Sequence, residues 1–185
     1  MATPTTPPVV APAITRDAKL AKLFGLAGDS WTRHAHPASV WTRFSVLPLL
    51  AVAIWSRDWI GWWSLVPIAL SLVFMMVNPL LFAKPRSTRH WVSKGVFGEH
   101  IWTERNTVEL PAQFTAGVPN VTYGFQAFGA IVLTYGLVVL GWPGLLAVVT
   151  GIVIIQVAKA WFIDRMVLLF EDMKTHHPEY AEWEY

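Results

Sequence analysis

The chain has 185 residues, 54% of them hydrophobic and only 14% charged, with a mean hydropathy of +0.43. Soluble domains carry about 25% charged residues, so this composition, together with eleven tryptophans, points to an integral membrane protein built as one domain. The lack of cysteine excludes disulfides, thiolate metal sites, iron–sulfur clusters and cysteine nucleophiles, and with a net charge of +2 and no basic run interleaved with stacking aromatics, nucleic acid is not an expected partner.

Residues 1–14, rich in proline and threonine, read as a disordered tail rather than a cleaved signal peptide, because a positive start and a continuous apolar run are both missing. Thr15 is placed to cap a short basic amphipathic helix. Leu20, Leu23, Phe24 and Ala27 recur at helical spacing, and Arg16, Lys19 and Lys22 lie elsewhere on the wheel, which suits the headgroup plane of a membrane. In HAHPASVWTR (34–43), Ser39 is a candidate N-cap ahead of the first span.

Four spans are predicted, at about 40–56, 60–82, 121–141 and 144–166. The first two form a hairpin around SRDW, with Trp55, Trp59, Trp62 and Trp63 at the far interface and Arg43 snorkelling at the near one. The last two join at GWPG (141–144), and Gly124, Gly129 and Gly136 allow close helix approach. The polar segment 84–120 is too long for an ordinary loop. It is expected to hold a helix capped by Ser87 or Thr88 and running to about Arg105, lying on the membrane surface.

Thirteen of the fourteen lysines and arginines fall in the N-terminal region through Arg43, in 84–120 and at the C-terminal end, and only Arg57 falls in a hairpin turn. By the positive-inside rule both termini are cytoplasmic, as an even number of spans also requires. The expected fold is therefore an all-α integral membrane protein of the inner (cytoplasmic) membrane, with four transmembrane helices as two hairpins and amphipathic interfacial helices on the cytoplasmic face.

All six histidines fall on that same side. His34, His36, His90, His100, His176 and His177, with Glu99 as a further ligand or base, are the candidates for a divalent transition metal, since neutral imidazole is a common ligand. The layout resembles membrane-bound di-iron oxygenases and desaturases only in gross arrangement, because HxxxH and HxxHH runs are missing. HxHP is equally readable as a turn before a helix. The cations Arg43, Arg86, Arg89, Lys94, Lys159 and Arg165, with Asp164, form the candidate set for an anionic lipid-like ligand. Asp164 could pair with Arg43 or Arg165, and Lys159 with Glu99. Asn78 and Gln156, deeper in the spans, are expected to make helix-to-helix hydrogen bonds. No GxSxG, P-loop or GxGxxG motif is present.

The strings HPASVWTR (36–43), NPLLF (78–82) with PRSTRHWVSKGVFGEHIW (85–102), and WFIDRMVLLFEDM with HPEY (161–180) carry a resemblance to an uncharacterised family of small polytopic prokaryotic membrane proteins, a domain of unknown function. The resemblance spans roughly residues 30–183 and implies a class but no reaction. The expected function is the binding of an anionic lipid-like ligand or a partner subunit by the cytoplasmic-face His/Arg/Glu cluster, with the bilayer and a homo-oligomer or membrane subunit as partners. The alternative is a metal-dependent, oxidoreductase-like membrane enzyme acting on a lipid-like substrate.

Overall fold

The computed structural model describes residues 15–23, 30–115 and 117–185. Among these every regular element is helical: α1 Arg16–Leu23, α2 Ser30–His34, α3 Pro37–Trp55, α4 Arg57–Ile60, a 3₁₀ turn Gly61–Ser64, α5 Leu65–Leu81, α6 Trp91–Thr103, α7 Ala112–Thr115, α8 Val118–Val139, α9 Gly141–His176 and α10 Pro178–Ala181. Residues 1–14, Phe24 and Ala27 lie outside the described residues.

Three helical runs, Pro37–Leu81, Ala112–Val139 and Gly141–His176, are long and apolar enough to cross a membrane. The first folds back on itself. Ser39 Oγ donates to Asn78 Oδ1 at 2.7 Å and Asn78 Nδ2 donates to Thr42 Oγ1 at 2.9 Å, whereas residues 39 and 78 of a straight helix would stand about 58 Å apart. The reversal occurs through α4 and the 3₁₀ turn, where Gly61 takes a φ of +56°, a conformation that a Cβ would oppose.

Proline inside α3 leaves a trace across the bundle. Pro48 has no N–H for the carbonyl of Phe44 one turn earlier. Gln156 of α9 supplies the missing donor, its Nε2 lying 2.5 Å from Phe44 O. Both polar residues read as helix-to-helix bonds, Asn78 and Gln156, therefore have that role.

Helices α8 and α9 meet through glycine. A Cβ on Gly136 would stand 2.5 Å from Gly144 O, and one on Gly151 2.5 Å from Leu133 N, while Gly124 has nothing within 4 Å and takes no part. The reversal between them sits at Leu140 and Gly141, with φ of +57° and +60°. It falls at the front of GWPG, and Pro143 lies in the first turn of α9.

The two ends of the bundle are packed differently. Toward the hairpin turns the buried apolar contact is narrow, Ala51, Leu133 and Val148, and large apolar side chains such as Trp62, Ile131 and Val138 face outward. At the other end a dense core joins Trp31, Val96, Ile101, Phe162, Met166 and Phe170. Helix α9 runs through both regions as one 36-residue helix.

Helix α6 differs from expectation. It begins at Trp91 after the N-cap position His90, and nine of its thirteen residues are buried, so it does not present an apolar stripe outward. Gly95 and Gly98 explain the seating, since Cβ atoms there would strike Ile163 and the Met166 backbone. Thr88 is no cap. Its Oγ1 donates to Trp183 O at 2.8 Å, and its N–H bonds Tyr185 O at 2.9 Å, pinning the end of the chain. Lys94 and Lys174 add ion pairs to Glu171 and Glu184. Thr15 does cap α1, accepting from Ala18 N at 3.0 Å. Its hydroxyl also donates to Thr103 O at 2.6 Å, and Asp17 pairs with Arg105 at 2.7 Å, so α1 is tied to α6.

Candidate functional site

A cavity of about 400 Å³ opens where α1, α2, α3, α5, α6, α8 and α9 converge. Its wall is mostly apolar and aromatic, with Trp31, Trp102, Tyr123 and Phe162 among the lining residues. Into this wall are set Arg43 from α3, Glu99 from α6, Lys159 from α9, His34 from α2 and Gln126 from α8.

Arg43 is held from behind. Its Nε donates to Ser39 O at 3.2 Å, one turn back, and its Nη2 to His34 O at 3.4 Å. Its Nη1 stands 2.6 Å from each nitrogen of the His34 ring. A guanidinium only donates, so this contact requires an unprotonated ring nitrogen. His34 is buried, and burial first, then the Arg43 and Lys159 cations, hold its imidazole well below the usual range. His34 is thus a neutral acceptor that positions Arg43.

Lys159 projects from α9 with its Nζ 4.6 Å from the Phe44 ring centroid, a cation–π distance. Gln156, three residues earlier, binds the Phe44 carbonyl, so one residue of α3 orients the turn of α9 that carries the lysine.

Glu99 makes no hydrogen bond or ion pair to another described residue. It keeps some accessible surface and lines the cavity, yet the protein around it is dense. Burial raises its carboxyl above the usual range, Arg43 and Lys159 pull it down, and Asp17 pushes it up. Trp102 Nε1 is buried and has no hydrogen-bond partner among the described residues. The cavity therefore offers two cations and two carboxyls, Glu99 and the Arg105-paired Asp17, along mostly aromatic and apolar walls.

The remaining sequence candidates lie elsewhere. His36 is the N-cap of α3, its Nδ1 accepting from Ala38 N at 3.2 Å in place of the expected Ser39, which instead binds Asn78. His100 is stacked between Trp31 and Trp183, at centroid distances of 4.4 and 5.0 Å, and burial pushes it down to about 4. His176 and His177 end α9 beside Asp172 and Glu179. Arg86, Arg89 and His90 are exposed ahead of α6. Asp164 accepts from Trp91 Nε1 at 3.3 Å rather than pairing with Arg43 or Arg165. Arg165 lines a separate depression with Glu171 and Asp172. Three of the histidine rings are engaged elsewhere: His36 caps α3, His100 stacks between indoles and His34 accepts from Arg43. Among the described residues no three His, Asp or Glu side chains gather as a metal ion would need.

The model of a family of unknown function, DUF6653, matches residues 15–184. The chain belongs to this family. The match takes in every cavity-lining residue and leaves out only the N-terminal tail and Tyr185, so the site lies wholly within the family's own domain. No curated protein and no solved structure matches the chain.

Sequence reasoning missed Trp31, Trp102, Tyr123 and Gln126. Gln126 had a usable signal, as a lone amide in the apolar run VTYGFQAFGAIV. The indoles had none that distinguished them from the other tryptophans.

Proposed function

We propose that this DUF6653 protein crosses the inner membrane four times, with both termini cytoplasmic, and binds an anionic amphiphile in the cavity at the cytoplasmic boundary. Lengths support four crossings. At 1.5 Å per residue α3 and α5 reach about 28 and 26 Å and α8 about 33 Å, against a hydrocarbon core of about 30 Å. Tryptophans support the levels. Trp59, Trp62, Trp63 and Trp142 are exposed at the hairpin turns, Trp41, Trp91 and Trp161 at the other end, and Trp142 and Trp161 are separated by about 28 Å along α9. Arg57 alone of the cations lies at the turns, where it donates to Leu137 O, in keeping with the positive-inside rule. Exposed Lys19, Leu20 and Lys22 of α1 suit an interfacial face.

One observation carries the binding reading: Arg43 and Lys159, from two different apolar helices, face one cavity whose wall is mostly aromatic and apolar. Cations gathered at that level hold phosphate, sulfonate or carboxylate headgroups, and the mostly apolar wall suits the chain of an amphiphile.

The test is binding to purified protein in nonionic detergent. Lysophosphatidate is expected to bind, and Arg43→Ala with Lys159→Ala to weaken it at least tenfold, about 1.4 kcal/mol. Inorganic phosphate and zwitterionic lysophosphatidylcholine are expected to bind far less. Equal binding by the double variant, or by lysophosphatidylcholine, would overturn the reading. Reporter fusions at Asp58 and Pro143 should lie outside the cytoplasm.

A further inference from the structure

We infer that Glu99 is the proton acceptor of the cavity, so that one anionic headgroup enters together with one proton. This deepens the preceding reading and rests on it. The geometry brings four charged side chains from four elements, Asp17, Arg43, Glu99 and Lys159, to one cavity of about 400 Å³. The groups facing Glu99 are Asp17 of α1, which is paired with Arg105, His34 of α2, Arg43 of α3, Tyr123 and Gln126 of α8, and Lys159 of α9. Helix α5 contributes only Met75 and Pro79, and on α6 itself His100 is stacked between indoles.

Before an anion enters, an ionised Glu99 is balanced by the two cations. A headgroup lying between Arg43 and Lys159 cancels that attraction and adds a like charge in a poorly solvated space. Both effects, with the burial already acting on the carboxyl, favour its neutral form. His34 is the wrong acceptor, because Arg43 donates to its ring and two cations oppose a third. The balance is simple: anion, protein and solvent proton combine to give a complex in which the proton rests on a Glu99 oxygen, and the net charge of the cavity is unchanged. The protonated carboxyl is then a donor to the headgroup it accompanies.

The experiment uses decyl sulfonate, whose charge is fixed across the range studied, titrated calorimetrically into the detergent-solubilised protein between pH 5.5 and 8.5. Each pH is run in two buffers of different ionisation enthalpy, which counts protons directly. Wild type should take up close to one proton per sulfonate, with affinity rising by up to tenfold for each unit the pH falls. Glu99→Gln should bind with no proton uptake and no pH dependence, and Glu99→Asp should keep both. Binding by wild type without proton uptake, or uptake that survives in Glu99→Gln, overturns the inference. The wild-type proton count does so alone if Glu99→Gln fails to fold. Failure of the site itself looks different: wild type takes no sulfonate at any pH, or Arg43→Ala with Lys159→Ala binds it undiminished. Inorganic sulfate run alongside separates the sources. Much weaker sulfate binding supports an amphiphile, and equal binding rejects it in favour of a free oxyanion.

Discussion

Acid should loosen the end of the bundle opposite the hairpin turns through His100. The ring lies flat between Trp31 and Trp183, tilted only 12° and 13° from them, and burial pushes it from the ordinary 6.5 down to about 4. Because the folded value lies below the unfolded one, the unfolded chain takes the proton first. Its stabilising contribution is complete above pH 6.5, declines as pH falls, and is gone below about 4. At 1.36 kcal/mol per unit the whole span is worth about 3 kcal/mol, and the part between pH 6.5 and 5 about 2 kcal/mol. These are upper figures: the side chain is 21% exposed and Glu104 lies 3.7 Å away, where it would favour the cation. His34 is displaced in the same direction, so total acid sensitivity does not isolate His100. The comparison that does is His100→Phe, which keeps a flat ring in the stack and removes the titration. Stability in detergent, followed by near-ultraviolet circular dichroism on heating at pH 7 and pH 5, should fall by up to about 2 kcal/mol more in wild type than in the variant. Equal losses would refute the argument.

Two further expectations concern packing. Gly98→Ala would drive a Cβ into the Met166 carbonyl group, 2.5 Å from its carbon and 2.9 Å from its Cα. Since backbone cannot rotate aside, the cost should reach about 3 kcal/mol, whereas Gly124→Ala, with nothing within 4 Å, should be neutral or stabilising by up to about 1 kcal/mol; thermal melts of the two variants check the order. Gln156→Leu removes the donor to Phe44 O and should cost about 1 kcal/mol, but less in a Pro48→Ala background, where the restored N–H can reach the same carbonyl; a double-mutant cycle with no coupling would reject that account.

Much of the fold was legible because long apolar helices advertise themselves. Unbroken apolar runs, tryptophans at both ends and the lone Arg57 marked helices and turns, and Asn78 and Gln156 stood out as polar groups inside apolar runs. The placement of α6 was not legible, since Trp91–Thr103 carries Lys94, Glu99 and His100 among its apolar residues and so imitates a surface helix. Its actual signal is Gly95 and Gly98, small residues that let a backbone press against α9. That seating brings Glu99 to Arg43 and Lys159, which the sequence already offered as candidate residues. The partners of the histidines were not legible, because residue type says nothing of them: capping, stacking and accepting from Arg43 occupy the rings of His36, His100 and His34.

The same packing explains why charge can be kept at this depth. On the proposed topology Lys159 lies two residues from the inner tryptophan level and Arg43 two residues past Trp41, where an unpaired cation costs several kcal/mol. Neither is left to lipid. Phe44 lies against the lysine, and His34 with the Ser39 carbonyl holds the guanidinium. Each of these supports satisfies one side of a cation and leaves the other toward the cavity. A pair neutralised for stability alone would be expected to close onto Glu99, as Lys94 and Lys174 close onto Glu171 and Glu184 at 2.5–3.1 Å. Here no ion pair joins Arg43 or Lys159 to Glu99, although each acts on its carboxyl through the cavity. Cations held from behind and open in front are what the proposed anion site requires.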